Sequence, residues 1–128
     1  MSESHGLVWW SELMTRDVTA AQKYYGAACR WEFEKMAMPD GGDYVIAKVG
    51  GKPVAGIMDI SSMEHLKDVP AHWFTYFAVD DVDAEAAAIT AAGGMVLTKP
   101  FDIPGTGRIA ILQDPTGAAM GMMTPEPM

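Results

Sequence analysis

The chain is written twice. Trp9 and Trp73, Asp17 and Asp81, Val18 and Val82, Ala28 and Ala92, and Met58 and Met122 are pairs separated by one constant shift of 64 positions, with no gap needed. Self-similarity at a fixed period marks a small supersecondary unit built more than once. The 128 residues make one ordinary domain, with enough chain for a core without disulfide staples. The expected organisation is therefore a single domain of two modules, the first over about 5–60 and the second over about 71–124, joined by a connector over 61–70.

Local patterns give both modules the same element order. Leu7–Leu13 reads as a strand. Asp17 then caps an alanine-rich helix over Val18–Ala28, whose apolar residues recur at helical spacing. Strands follow over Arg30–Ala37, Tyr44–Val49 and Val54–Ile60, parted by the turn clusters Pro39-Asp40-Gly41-Gly42 and Gly50-Gly51-Lys52-Pro53. The connector holds one helical turn near Met63–Leu66. The second copy runs His72–Val79, a helix over Val82–Ala92 ended by Gly93-Gly94, then Met95–Lys99, Arg108–Gln113 and Ala118–Met123. Its loops are Pro100–Gly107 and Asp114-Pro115-Thr116-Gly117. The fold class is α+β, with two tandem βαβββ modules.

Composition narrows the partners. Seventeen acidic against nine basic side chains leave a net charge of −8, which disfavours nucleic acid and anionic membrane surfaces. No apolar run reaches membrane-spanning length, and Met1–His5 has no signal-peptide pattern. A cytoplasmic chain that binds a small molecule or a protein is expected. Cys29 is the only cysteine, so no intrachain disulfide forms, and after an alanine-rich helix it reads as buried and inert. Eleven methionines read either as core filling or as an adaptable ligand surface.

Several segments together resemble the vicinal oxygen chelate superfamily of glyoxalase I, bleomycin resistance proteins and extradiol dioxygenases. They are Trp10–Asp17 with Ala20-Ala21 and Tyr24-Tyr25-Gly26, Trp73–Asp83 with Gly93-Gly94, Ile103–Arg108, and Asp114–Ala118. The resemblance implies that two modules form a curved mixed sheet with an open cleft, and that short two-module chains dimerise, so a homodimer is expected. It also implies a divalent cation held by His, Glu or Gln and acting as a Lewis acid on a bound substrate. In that pattern the ligands stand seven residues before each helix-capping Asp, at Trp10 and Phe74 here, and seven after the Asp-Pro turn, at Gly121, which the repeat pairs with Ile57. None of these side chains ligates a hard or borderline cation. No metal or other cofactor is expected at the usual positions.

Strand alternation then places the cleft wall at Trp10, Glu12, Met14, Ile57, Asp59, Phe74, Tyr76 and Met123. Glu12 is the candidate for chemistry, because an indole and facing rings desolvate a carboxylate and turn it toward a general base. The competing reading is a structural carboxylate satisfied by Arg16 or a backbone N–H. Arg108 either binds an anionic ligand or pairs with an acidic neighbour. His5 or His72 would complete a non-standard metal site only by meeting Glu12 or Asp59; His65 adds no ligand spacing. Three functions follow: a small-molecule binder with an aromatic, partly acidic cleft and no usual metal; a glyoxalase-like lyase or isomerase with Glu12 as base and a non-standard metal site; or an interaction module whose cleft is filled by its own side chains or a partner.

Overall fold

Two aspartates decide where the helices begin. In the computed structural model, which describes residues 3–37, 43–103 and 106–125, the Asp17 carboxylate accepts the Ala20 N–H at 3.0 Å and opens α1 (Val18–Cys29). Asp81 accepts the N–H groups of Asp83 at 3.1 Å and Ala84 at 3.2 Å and opens α2 (Val82–Ala88), which tightens into a 3₁₀ turn over Ile89–Ala92. These N–H groups have no partner inside the helix, so the carboxylates supply one. The helix ends differ. Gly93 closes the second at φ 92°, where a glycine is at ease. Arg30 closes the first at φ 57°, a left-handed backbone that costs an L-residue about 1–2 kcal/mol.

The chain divides into two units, residues 10–73 and residues 1–9 with 74–128. The first unit orders its strands β2 (Glu32–Ala37), β3 (Asp43–Val49), β4 (Lys52–Asp59) and β1 (Val8–Thr15). The pairs β2/β3 and β3/β4 are antiparallel, and β4/β1 is parallel. The second unit orders β6 (Met95–Ile103), β7 (Gly107–Gln113), β8 (Ala119–Pro125) and β5 (His72–Ala78), again with the last strand parallel to the first. A parallel pair needs a crossover, and each module's helix lies on that path. The α+β class and the two βαβββ modules of mixed sheet are borne out.

One face of each sheet meets its helix. In the first unit Leu13, Val45 and Ile57 form a buried cluster, joined by Val18, Ala21 and Tyr25 of α1 and by Phe33. Tyr25 also stacks on Trp31 at 5.4 Å and accepts the indole N–H of Trp73, the unit's last residue, at 3.1 Å. In the second unit Val79, Val82, Ala110 and Leu112 pack with Ile89, Val96, Met120 and Met122. Residues before β1 are held there too, through Gly6 N–H to the Ala78 carbonyl at 2.7 Å and Ala78 N–H to the Leu7 carbonyl at 2.9 Å. The connector after β4 is pinned by Arg16, which donates to the carbonyls of Val69 and Leu66.

Several boundaries move. Gly50 and Gly51, at φ 57° and 80°, make the tight β3–β4 hairpin that adjacent positive-φ glycines favour. Pro100 sits inside β6, where a loop is expected. β6 pairs with β7 on one side, and its register shifts between Thr98 and Phe101, which tolerates a residue without an N–H. Cys29 is exposed, contrary to the buried thiol expected, because α1 buries none of its residues fully. The turn Pro39–Gly42, the Pro104-Gly105 part of the later loop and Pro127 lie outside the described residues. Among the described residues no helix is long and apolar enough to cross a membrane.

Two substitutions test these assignments. Ile57 is wholly inaccessible, so Ile57→Ala is expected to cost about 3 kcal/mol in urea unfolding, within the range for buried aliphatic truncation. A loss under 1 kcal/mol would put Ile57 outside the core. Arg30→Gly relieves the left-handed strain and is expected to raise stability by up to about 1 kcal/mol, part of the gain being offset by glycine's freedom in the unfolded chain.

Candidate functional site

Strand β1 sorts its side chains by face. Leu13 goes to the α1 core, so Trp10, Glu12 and Met14 take the other side. Glu12 is 5% exposed, a depth at which a carboxylate needs partners. One comes from two strands away. The Tyr44 hydroxyl on β3 donates to Glu12 Oε2 at 2.7 Å and accepts the Trp10 indole N–H at 2.9 Å.

The reach of Tyr44 depends on Gly56. Gly56 stands opposite Glu12 in the parallel β1/β4 pair and opposite Ile46 in the antiparallel β3/β4 pair, while Tyr44 pairs with Met58. The phenol therefore lies diagonally across β4, over a position with no side chain. A Cβ on Gly56 would overlap the Tyr44 hydroxyl and ring. Glycine inside a strand is the usual mark of a close approach. Gly56 is the sequence signal for this contact, and Tyr44 and Gly56 both stand outside the expected cleft wall.

The second unit treats the corresponding place differently. Tyr76 on β5 stands opposite Gly121 on β8, and its ring covers that glycine so closely that a Cβ there would collide with it. Phe74 meets Tyr76 edge-on at 5.2 Å. Met123 is on the Gly121 side of β8 and is buried, opposite the buried Ile109 of β7. This face is aromatic and aliphatic.

Two expected wall residues stand elsewhere. Ile57 is in the α1 core, and Asp59 shares its side of β4 rather than that of Glu12, because Glu12 pairs with Gly56 and Leu13 with Ile57. The gapless repeat misplaces them by one residue: Gly56, not Ile57, occupies the place that Gly121 has in the second module. Asp59 instead accepts the Ser61 hydroxyl and, at 2.9 Å, the Ser61 N–H. That hydroxyl, followed by the N–H, holds the Asp59 carboxyl below its ordinary range. Arg108 takes the ion-pair alternative. It grips both oxygens of Asp83 at 2.6 and 3.0 Å and reaches Asp102 at 3.2 Å. The Asp83 carboxyl is lowered mainly by its hydrogen bond to Arg108, and the guanidinium is held still further above its ordinary value by Asp83 and then Asp102.

These residues do not fit a divalent cation. Trp10 offers an N–H already donated to Tyr44, Phe74 offers no donor atom, and Gly56 and Gly121 are each covered by a tyrosine ring. His5 Nδ1 accepts the Asp80 N–H at 2.9 Å, and His72 Nδ1 lies 2.8 Å from the Pro70 carbonyl. The His65 side chain is outside the described residues. Among the described residues no three His, Cys, Asp or Glu side chains gather as a metal site would require.

The comparisons with known proteins agree with the fold. The profile of the Glyoxalase/Bleomycin resistance protein/Dioxygenase superfamily matches residues 10–121. CFP32 of Mycobacterium tuberculosis, named as a glyoxylase, is 40% identical over 122 residues, covering 95% of this chain and 45% of that protein. The anthracycline biosynthesis protein DnrV of Streptomyces peucetius is 33% identical over 123 residues, covering 88% of this chain and 45% of the relative. The chain thus spans about half the length of these relatives. The crystal structure of methylmalonyl-CoA epimerase from Mycobacterium tuberculosis is similar in fold, with a TM-score of 0.69 and 14% identity over 99% of this chain and 93% of that one. From the sequence profile and the shared architecture together, the chain belongs to the glyoxalase/bleomycin resistance protein/dioxygenase superfamily.

Proposed function

We propose that this chain is a small-molecule-binding member of its superfamily that works without the usual metal ligands, and that the ligand is held against the Glu12 face of the first unit. The observation that carries this reading is the buried carboxylate of Glu12 joined through Tyr44 to the Trp10 indole. A buried acid beside flat rings suits a cationic or hydrogen-donating aromatic compound: stacking supplies affinity and the carboxylate orientation. The relative named for anthracycline biosynthesis supports the same ligand class, since anthracyclines are fused-ring aromatics. Phe74, Tyr76 and Met123 give the second unit an apolar face suited to the same chemistry.

A panel of cationic and neutral fused-ring compounds, titrated by Trp fluorescence, tests this. A cationic compound is expected to bind, and Glu12→Gln to weaken it about 10- to 100-fold, as loss of a charged hydrogen bond does. Chelation with EDTA is expected to leave the response unchanged. Stoichiometric Zn, Ni, Mn or Fe in the purified protein, or a response indifferent to both Glu12→Gln and Trp10→Phe, would overturn the reading.

A lyase or isomerase with Glu12 as base is the second reading, supported by the glyoxylase name of a 40% identical relative and by the burial of Glu12. Turnover abolished by chelation and restored by added metal would favour it. We also propose a homodimer in the cytoplasm. The relatives are over twice as long as the stretch they share with this chain, and two copies would supply a comparable amount of structure. Light scattering is expected to give twice the 13.8 kDa of one chain; a monomer at micromolar concentration counts against it.

A further inference from the structure

We infer that Tyr44 is a positioning residue which, with Trp10 behind it and Gly56 beneath it, holds Glu12 as a hydrogen-bond acceptor and so selects ligands that bring a donor or a positive charge. This rests on the reading of Glu12 as a ligand-contacting carboxylate.

The argument is one of hydrogen-bond direction. An indole N–H donates and never accepts, so at 2.9 Å from Trp10 Nε1 the Tyr44 oxygen is the acceptor. A phenol has one hydrogen, and the second short contact of that oxygen, 2.7 Å, is to Glu12 Oε2. The chain therefore runs one way, from indole N–H to phenol O–H to carboxylate. A short O–H to carboxylate contact is the charge-assisted kind, and donors in series polarise one another. Burial alone disfavours a charged carboxylate; the Tyr44 O–H donated to it, itself polarised by the Trp10 N–H, offsets that cost. Held so, Glu12 receives an ammonium, an N–H or O–H donor, or an abstracted proton, whereas a carboxylate or phosphate ligand meets like charge.

The arrangement is built, not incidental. Gly56 leaves the gap that Tyr44 crosses, and any larger residue there displaces the phenol. Among the described residues of β2 and β3, the charged groups on this face are Glu32, Glu34 and Lys48, with Lys48 Nζ paired to Glu34 Oε1 at 2.5 Å. Met14 and Met58, the neighbours of Glu12 and Gly56 along their strands, do not titrate.

Carbon-13 NMR of the Glu12 carboxyl, followed against pH in the unliganded protein, tests the inference without any ligand. Tyr44→Phe is expected to raise the Glu12 titration midpoint by about one pH unit, the equivalent of one lost charged hydrogen bond. Trp10→Phe is expected to move it the same way by less. Gly56→Ala reproduces the Tyr44→Phe shift by displacing the ring, with Tyr44 itself present. Thermal unfolding of each variant separates this from a packing role. A lowered melting temperature with an unmoved midpoint overturns the inference, and so does a wild-type Glu12 that is protonated at pH 7. Because no ligand enters, a one-unit shift together with an empty ligand screen would sink the binding proposal and the ligand selection built on it, and leave only the positioning of Glu12 by Tyr44 standing.

Discussion

Parallel pairing of the first and last strand in each module is the constraint on which the rest depends. It forces the chain over the sheet between those strands, which places each helix and hides Leu13, Val45 and Ile57, or Val79, Ala110 and Leu112, beneath it. It also sets which side chains stand beside one another on the face the helix leaves uncovered. Glu12 meets Gly56 and Tyr76 meets Gly121 through equivalent ladders. In each case the last strand contributes no side chain, and a tyrosine takes the room.

The two modules use that room for opposite purposes. Across Gly56 the phenol comes from β3 with its hydroxyl directed at a carboxylate. Over Gly121 it comes from the adjacent β5 and its ring packs with Phe74. One copy has become polar and chemically pointed, the other greasy. A duplicated unit allows this, because the fold needs only the helix face of each copy to stay apolar. At the site, one module sets hydrogen bonds from Trp10 through Tyr44 to Glu12, and the other packs the rings of Phe74 and Tyr76.

Much of the fold was legible because its signals are local. Asp17 and Asp81 cap what their spacing says they cap, and Gly50-Gly51 turns where two adjacent glycines should. Pro100 misled, since proline marks a loop unless the strand is one-sided and bulged there. The site was harder for a physical reason. Strand faces alternate with every residue, so the one extra residue between the first and last strands of the second module moved Ile57 and Asp59 to the wrong side. Trp10 and Glu12 share a face because they stand two residues apart on one strand, which alternation alone makes legible. The Tyr44 contact is not legible that way, because it crosses β4 and no periodicity within a strand reports a diagonal reach. Arg108 had two readings, and only the positions of Asp83 and Asp102 choose between them.

The outermost strands carry one more implication. β2 presents Glu32, Glu34 and Lys35, and β6 presents Lys99, the N–H-less Pro100 and Asp102. Charges of both signs and a missing donor along an open backbone ladder discourage another chain from extending it. Self-association of this protein by strand addition at β2 or β6 is therefore penalised, and so is the edge-to-edge stacking that leads to fibrils. A lasting contact between copies has to be made by side chains on faces or loops.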